Sequence, residues 1–223
     1  MENLEIKKLI QKTYYVKPKD MVRLDELIRL MPNIATKSAK QIEIVDYFYE
    51  TPDKLLETLD ASIRVRVIDN NKQILSIVCK NNGVRREFEM DMHYGDKIQD
   101  SNEYILFLED KLQDMYTHRM DADIARMLKS LKVFMYITTN RLQLEIFNNT
   151  GFSGIVNFDS VVFNTKRYKI PDSILEIKMN CVNDIANKTA FERFCFALEQ
   201  KVEITDMGET KFEAGKRVFR YEF

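Results

Sequence analysis

The chain has 223 residues and a mass of 26.4 kDa, enough for one large domain or two small ones around a sizeable core. At 45% hydrophobic and 31% charged residues, it is not disordered, collagen-like or a disulfide-dense mini-protein. Thirty-four Lys and Arg against thirty-five Asp and Glu leave a formal net charge of −1, so any polyanion site must come from segregated charge rather than a basic coat. No apolar run approaches the ~20 residues a membrane span needs, and the opening Met-Glu-Asn-Leu-Glu holds no apolar signal region. Cys79, Cys181 and Cys195 are odd in number and sit in apolar company. They read as reduced core thiols, and a cytoplasmic location is expected.

Met21, Leu24, Leu27, Ile28 and Met31 form a helical apolar face over 19–31, stopped by Pro32-Asn33. A strand follows over Gln41–Tyr49. The Thr51-Pro52-Asp53 step then predicts a turn or the first turn of a helix. Ser62–Ile68, Ile74–Lys80 and Val84–Met92 read as strands, separated by the hairpin-type turns Asp69-Asn70-Asn71-Lys72 and Asn81-Asn82-Gly83. The middle, about 100–131, is helical, with Ile105, Leu108, Leu112, Met115, Ile124, Met127, Leu128 and Leu131 inward. Strands resume at Val133–Thr139, Arg141–Asn148, Gly154–Phe163 and Ile174–Asn180. A closing helix covers about 184–201, capped by Asn183 or Asp184, and Thr210 is placed to cap a last helix over about 210–220. Neither repeat nor linker is visible, so a single domain over 1–223 is expected.

The strands alternate. Arg64 and Arg66 oppose Ile63, Val65 and Val67; Arg85, Glu87 and Glu89 oppose Phe88 and Met90. Arg141, Gln143 and Glu145 oppose Leu142, Leu144 and Ile146, and Asn157 and Asp159 oppose Val156 and Phe158. Glu176 and Lys178 oppose Leu175 and Ile177, and Glu5 and Lys7 oppose Leu4 and Ile6. Each pair alone is an ordinary solvated sheet face. Together, arginines and carboxylates recur where Thr, Ser and Gln would be usual, and the amphipathic helices need an apolar wall. Those facts predict an α+β fold: a closed antiparallel β-barrel with a charged lumen, surrounded by helices. Unpaired charges there would be very costly, so the interior must be wet, mutually paired, or built for a charged ligand. Guanidinium forks match phosphate oxygens, and carboxylates suit a divalent cation.

Phe48-Tyr49-Glu50-Thr51-Pro52-Asp53, followed by Ser62-Ile63-Arg64-Val65-Arg66, resembles the CYTH domains of the triphosphate tunnel metalloenzyme superfamily. The lysine ending Leu75-Ser76-Ile77-Val78-Cys79-Lys80 and the Arg-x-Glu-x-Glu order of Arg85–Glu89 follow the same pattern. Ile174-Leu175-Glu176-Ile177-Lys178 and Thr210-Lys211-Phe212-Glu213-Ala214-Gly215 resemble the related polyphosphate-polymerase (VTC) domains. The resemblance implies an eight-stranded tunnel holding a triphosphate or polyphosphate with Mg²⁺ or Mn²⁺. Carried over by position, Lys7, Arg64, Arg66, Lys80, Arg85, Arg141, Lys178 and Lys211 would contact phosphate, and Glu5, Glu87, Glu89, Asp159 and Glu176 the metal. Glu176, Lys80 and Arg66 would serve catalysis. Three departures stand out: Asn3 occupies the first acidic place of the opening strand, Ile155 replaces an arginine, and the late strand reads Glu-Ile-Lys, not Glu-x-Glu. A second alignment puts the opening strand at Gln11–Val16, where Lys12 is its sole charge.

The implied activity is metal-dependent hydrolysis or transfer at an inorganic, nucleoside or RNA 5′-triphosphate. Its alternatives are a polyphosphate polymerase, a non-catalytic polyphosphate- or nucleotide-binding module, and an open sheet whose charges are merely solvated. Tyr14, Tyr15, Tyr47, Phe48 and Tyr49 read as core before they read as a stacking platform. His93 and His118 lack partners at zinc-ligand spacing, and no phosphate-cradling glycine loop is present.

Overall fold

The computed structural model describes residues 9–81, 84–116, 124–147, 153–164, 169–180 and 185–219. The elements run β1 (Leu9–Val16), α1 (Pro18–Arg29), β2 (Ala35–Glu50), α2 (Leu55–Thr58), β3 (Ala61–Ile68), β4 (Lys72–Asn81) and β5 (Val84–Met92). A 3₁₀ turn at Ile98–Asp100 leads into α3 (Asn102–Tyr116) and α4 (Ile124–Leu128). Then come β6 (Lys132–Phe147), β7 (Ser153–Asn164), β8 (Lys169–Asn180), α5 (Ile185–Glu199), β9 (Ile204–Asp206) and α6 (Lys211–Phe219).

The class is α+β. Nine strands among the described residues form one sheet in the order β5-β4-β3-β2-β6-β7-β8-β1-β9. Eight strands were expected from the family pattern; the count of nine includes the three-residue β9, too short to show any alternation. Val133–Thr139 and Arg141–Asn148, expected as two strands, are the single strand β6, because Thr138-Thr139-Asn140 contains no glycine or proline to interrupt the pairing. β2 begins at Ala35 rather than Gln41; its first half is mostly exposed and polar, so no hydrophobic alternation marks it. The expected caps Asn183 and Asp184, and Asn82-Gly83 of the second hairpin, lie outside the described residues.

The chain divides into two compact units. One comprises Met1–Ile42, Thr139–Val162 and Ile170–Phe223; the other comprises Glu43–Thr138 and Phe163–Lys169. In the first, Leu144, Ile146, Val156, Phe158, Leu175 and Ile177 share one buried cluster with Leu24 and Ile28 of α1 and Phe191, Cys195 and Leu198 of α5. In the second, Ile63, Val65, Leu75, Ile77 and Cys79 are buried with Leu108 and Leu112 of α3 and Leu128 of α4. Each unit thus packs helices on the apolar face of its strands. Each fully buried Leu or Ile contributes roughly 1.5–3 kcal/mol by removal from water. The opposite face, carrying the alternate residues, is where the charged side chains lie.

Two local devices hold the second unit's strands in register. Asp69 and Asn70 both take positive φ, 49° and 52°, and the Asn71 N–H donates to the Ile68 carbonyl at 3.1 Å. This is a type I′ turn, whose twist matches paired strands and whose left-handed backbone suits Asp and Asn. The Glu50-Thr51-Pro52-Asp53 step starts α2. Glu50 Oε1 accepts the Thr51 and Leu56 N–H groups at 2.8 and 3.0 Å, Oε2 accepts Glu57 N–H at 3.0 Å, and Thr51 Oγ1 accepts Leu55 N–H at 2.8 Å. An acid and a threonine are needed there to satisfy the free N–H groups of a four-residue helix. Glu50→Ala should therefore lower unfolding free energy by about 1–2 kcal/mol in urea titration, whereas a loss below about 0.3 kcal/mol would contradict this capping role.

Candidate functional site

In the first unit, β1 pairs with β8 so that Thr13 faces Glu176 and Gln11 faces Lys178. Two-residue periodicity places Asn157 and Asp159 together on β7, away from the packed Val156 and Phe158. Lys211 arrives from the first turn of α6, which is fixed by a reciprocal cap: Thr210 Oγ1 accepts Glu213 N–H at 3.2 Å, and Glu213 Oε2 accepts Thr210 N–H at 2.7 Å.

These side chains form one network. The Arg141 guanidinium donates from Nε to Asp159 Oδ1 at 2.7 Å and from Nη2 to Oδ2 at 2.8 Å, a bidentate fork, and its Nη2 also reaches Glu176 Oε1 at 3.3 Å. Lys211 Nζ donates to Asp159 Oδ2. Lys178 Nζ lies 2.9 Å from Glu176 Oε1. Asn157 Nδ2 donates to the same oxygen at 2.9 Å, and Gln11 Nε2 donates to Oε2 at 3.0 Å. Asp159 is 0% exposed and Glu176 7% exposed, so neither is a solvated surface acid. Burial alone would raise the Glu176 pKa, but Lys211, Lys178 and Arg141 outweigh it and hold the carboxyl far below its usual range. Among the described residues, three cations surround two acids. Among the described buried side-chain polar atoms, Asn157 Oδ1 alone has no hydrogen-bond partner.

The second unit has its own charged face. Asp46 on β2 lies opposite Arg66 on β3 and takes its fork at 2.7 and 2.9 Å. Arg64 Nε donates to Ser76 Oγ at 3.1 Å and Nη2 to Glu87 Oε1 at 3.0 Å, with Glu89 3.6 Å away. Burial, and then the neighbouring Arg66, lower the Arg64 pKa against the pull of Asp46, Glu87 and Glu89. A guanidinium remains charged at neutral pH despite this. Lys80 lies on the same strand face, at the β4 end, where its carbonyl accepts the Tyr116 hydroxyl at 3.1 Å. Here, among the described residues, three acids face two arginines and Lys80, in contrast to the cation-rich first unit.

The structure therefore groups Arg141, Asp159, Glu176, Lys178 and Lys211 in one unit, and Arg64, Arg66, Glu87 and Glu89 in the other. Glu5, Lys7 and the Arg85 side chain lie outside the described residues, as does His118. Asp46, Ser76, Gln11 and Asn157 belong to the networks and were not predicted as site residues. The signal for Asp46 was present, an acid two residues before Phe48 in an apolar strand, and for Asn157 it was the partnership with Asp159.

A divalent ion implied by the family pattern can be tested against the donors. Among the described residues, no three His, Cys, Asp or Glu side chains are grouped to hold a metal. A carboxylate has about four lone-pair sites. Glu176 accepts four contacts, two of them from cations and two from the Gln11 and Asn157 amides, and Asp159 three, all from cations. β1, in register with β8, contributes Gln11 and Thr13 rather than acids. The described acids of the first unit, Asp159 and Glu176, do not by themselves make up a resident metal centre. Cys79 is no nucleophile either, since burial pushes its thiol pKa up to about 11.

A family model described as the CYTH domain matches residues 14–193. A Hippeastrum protein, described as a candidate adenylyl cyclase with a dominant triphosphatase activity, is similar at 14% identity and TM-score 0.60 over 94% of each chain. A candidate adenylate cyclase of Bacillus halodurans is similar at 15% identity and TM-score 0.54, covering 92% of this chain and 95% of that one. A Pyrococcus horikoshii protein is similar at 13% identity and TM-score 0.52, over 92% and 97%. No curated protein matches the sequence. No helix among the described residues is long and apolar enough to cross a membrane.

The lowered Glu176 pKa sets a pH dependence. A carboxyl depressed in the folded state contributes stability that is complete above its ordinary value of 4.5 and is lost as pH falls toward the folded value. The Tm difference between wild type and Glu176→Gln should accordingly shrink steadily as pH is lowered below 4.5. A difference that is constant or grows on acidification would contradict the network.

Proposed function

The chain belongs to the CYTH domain family, and from that premise we propose that it binds a triphosphate and transfers or hydrolyses its terminal phosphoryl group. The observation that carries this reading is the excess of cations in the first unit: Arg141, Lys178 and Lys211 around Asp159 and Glu176. A buried cluster with surplus positive charge is a standing attraction for phosphate oxygens, and the buried acids keep its donors aimed. The triphosphatase activity described for a Hippeastrum protein of the same fold supports the substrate class.

In this reading Arg141 and Lys211 neutralise charge on the transferred phosphoryl group, and Lys178 reaches an adjacent oxygen. Phosphoryl transfer asks mainly for positioning and electrostatic stabilisation, which fixed guanidinium and ammonium groups supply without reorganising. Glu176 is a poor proton acceptor because its cations hold it ionised. Its role is to position Arg141, Lys178 and Asn157. Within the second unit, Arg64, Arg66 and Lys80 are proposed phosphate contacts, with Glu87 and Asp46 setting the arginine rotamers. Mg²⁺ or Mn²⁺ belongs to the substrate here, as an ion carried on the triphosphate, and the scissile compound is an inorganic, nucleoside or RNA 5′-triphosphate. Buried free thiols at Cys79 and Cys195 support a reducing, cytoplasmic setting.

Phosphate release from tripolyphosphate, ATP and triphosphate-ended RNA tests the reading. Arg141→Lys keeps the charge but loses the fork, and should lower kcat/KM by about 100-fold, or about 2.7 kcal/mol. No release from any of the three compounds would contradict the enzymatic proposal. Unchanged kinetics in the variant would remove Arg141 from the site.

A further inference from the structure

The cation-held acids of the first unit have a consequence for how a polyanion is held there. Glu176 and Lys178 are two residues apart on β8 and share one face, with Lys178 Nζ 2.9 Å from Glu176 Oε1. That ammonium sits against the same carboxylate oxygen that Arg141 and Asn157 also contact. A divalent ion approaching Glu176 Oε1 would have to displace Lys178, Arg141 or Asn157, and at Oε2 it would meet the Gln11 amide. At Asp159 it would have to displace the Arg141 fork or Lys211. Asn157 Oδ1, a neutral amide oxygen of a residue 1% exposed, is the buried acceptor left without a hydrogen-bond partner among the described residues. Hard divalent cations are drawn to anionic oxygens, and one neutral oxygen among three cations is a poor exchange for their hydration shell.

We propose that this cluster binds a triphosphate without requiring a divalent ion, Lys178 serving as a tethered cation in the charge role that a protein-held metal would otherwise fill. The inference rests on the triphosphate reading of the site and specifies how that site is neutralised. Asn157 Oδ1 is left to accept a hydrogen bond from Lys178, a water molecule or a protonated phosphate oxygen once the ligand draws the ammonium forward. Lys178 is well suited to this movement: its side chain is 29% exposed and its stem is flexible, whereas Arg141, at 11%, is locked by its fork.

Calorimetry and thermal unfolding of the full chain with sodium tripolyphosphate, in EDTA and in Mg²⁺, test the proposal, with Mg²⁺ alone as a third arm. The expected result is tripolyphosphate binding in EDTA within about threefold of its affinity in Mg²⁺, and no Tm change with Mg²⁺ alone. Lys178→Gln should weaken binding in EDTA by about tenfold and recover part of the loss in Mg²⁺. Binding by wild type only when Mg²⁺ is present, or stabilisation by Mg²⁺ alone, overturns the metal-free site while leaving the triphosphate reading intact. Absence of tripolyphosphate binding in both buffers overturns that reading and this inference together. The wild-type arms decide the matter even if the variant does not fold.

Discussion

Asp159 is a carboxylate with no solvent exposure, and the first unit is organised around what that requires. An unpaired buried charge would cost several kcal/mol, so Asp159 must have a fixed partner. The Arg141 fork and Lys211 supply it, and in doing so they pin β6 and the start of α6 to β7. Glu176 on β8 extends the same network through Arg141. The apolar faces of these strands, against α1 and α5, set which residues point the other way; the acids then decide where the basic groups point. The placement of these basic groups follows from a core requirement.

The two charged faces solve the same electrostatic problem differently. In the second unit, Asp46, Glu87 and Glu89 face Arg64, Arg66 and Lys80, and Arg64 feels both burial and its like-charged neighbour. In the first unit, three cations meet two acids. Self-neutralised pairs are stable alone and give up a partner when a ligand arrives. A cation surplus is different, because an incoming anion adds a missing charge rather than competing for one already satisfied.

Much of this was legible in the sequence because period-two alternation is a direct statement about strand faces. Ile63-Arg64-Val65-Arg66 and Leu175-Glu176-Ile177-Lys178 announce both the packed side and the charged side, and the amphipathic pattern around Leu108 and Leu112 announces what packs. The type I′ turn at Asp69-Asn70 and the start of α2 after Pro52 follow from local backbone chemistry. What alternation does not carry is pairing across strands. Asp46 meets Arg66 because of the β2–β3 register, and Gln11 meets Glu176 because the β1–β8 register sets it diagonally across from that acid. Strand ends without apolar residues, as in the first half of β2, and a three-residue strand such as β9 leave no periodic trace. The partners that Asp159 and Glu176 hold are likewise not written in the positions carried over from the family pattern.

The central claim is that buried acids aim surplus basic groups at a phosphate chain. A crystal structure of the chain grown with tripolyphosphate tests it most directly. The account predicts phosphate oxygens within hydrogen-bond distance of Arg141 and Lys211, with the Arg141–Asp159 fork retained. Tripolyphosphate bound at other residues, with Arg141 and Lys211 touching only Asp159 and Glu176, would contradict it.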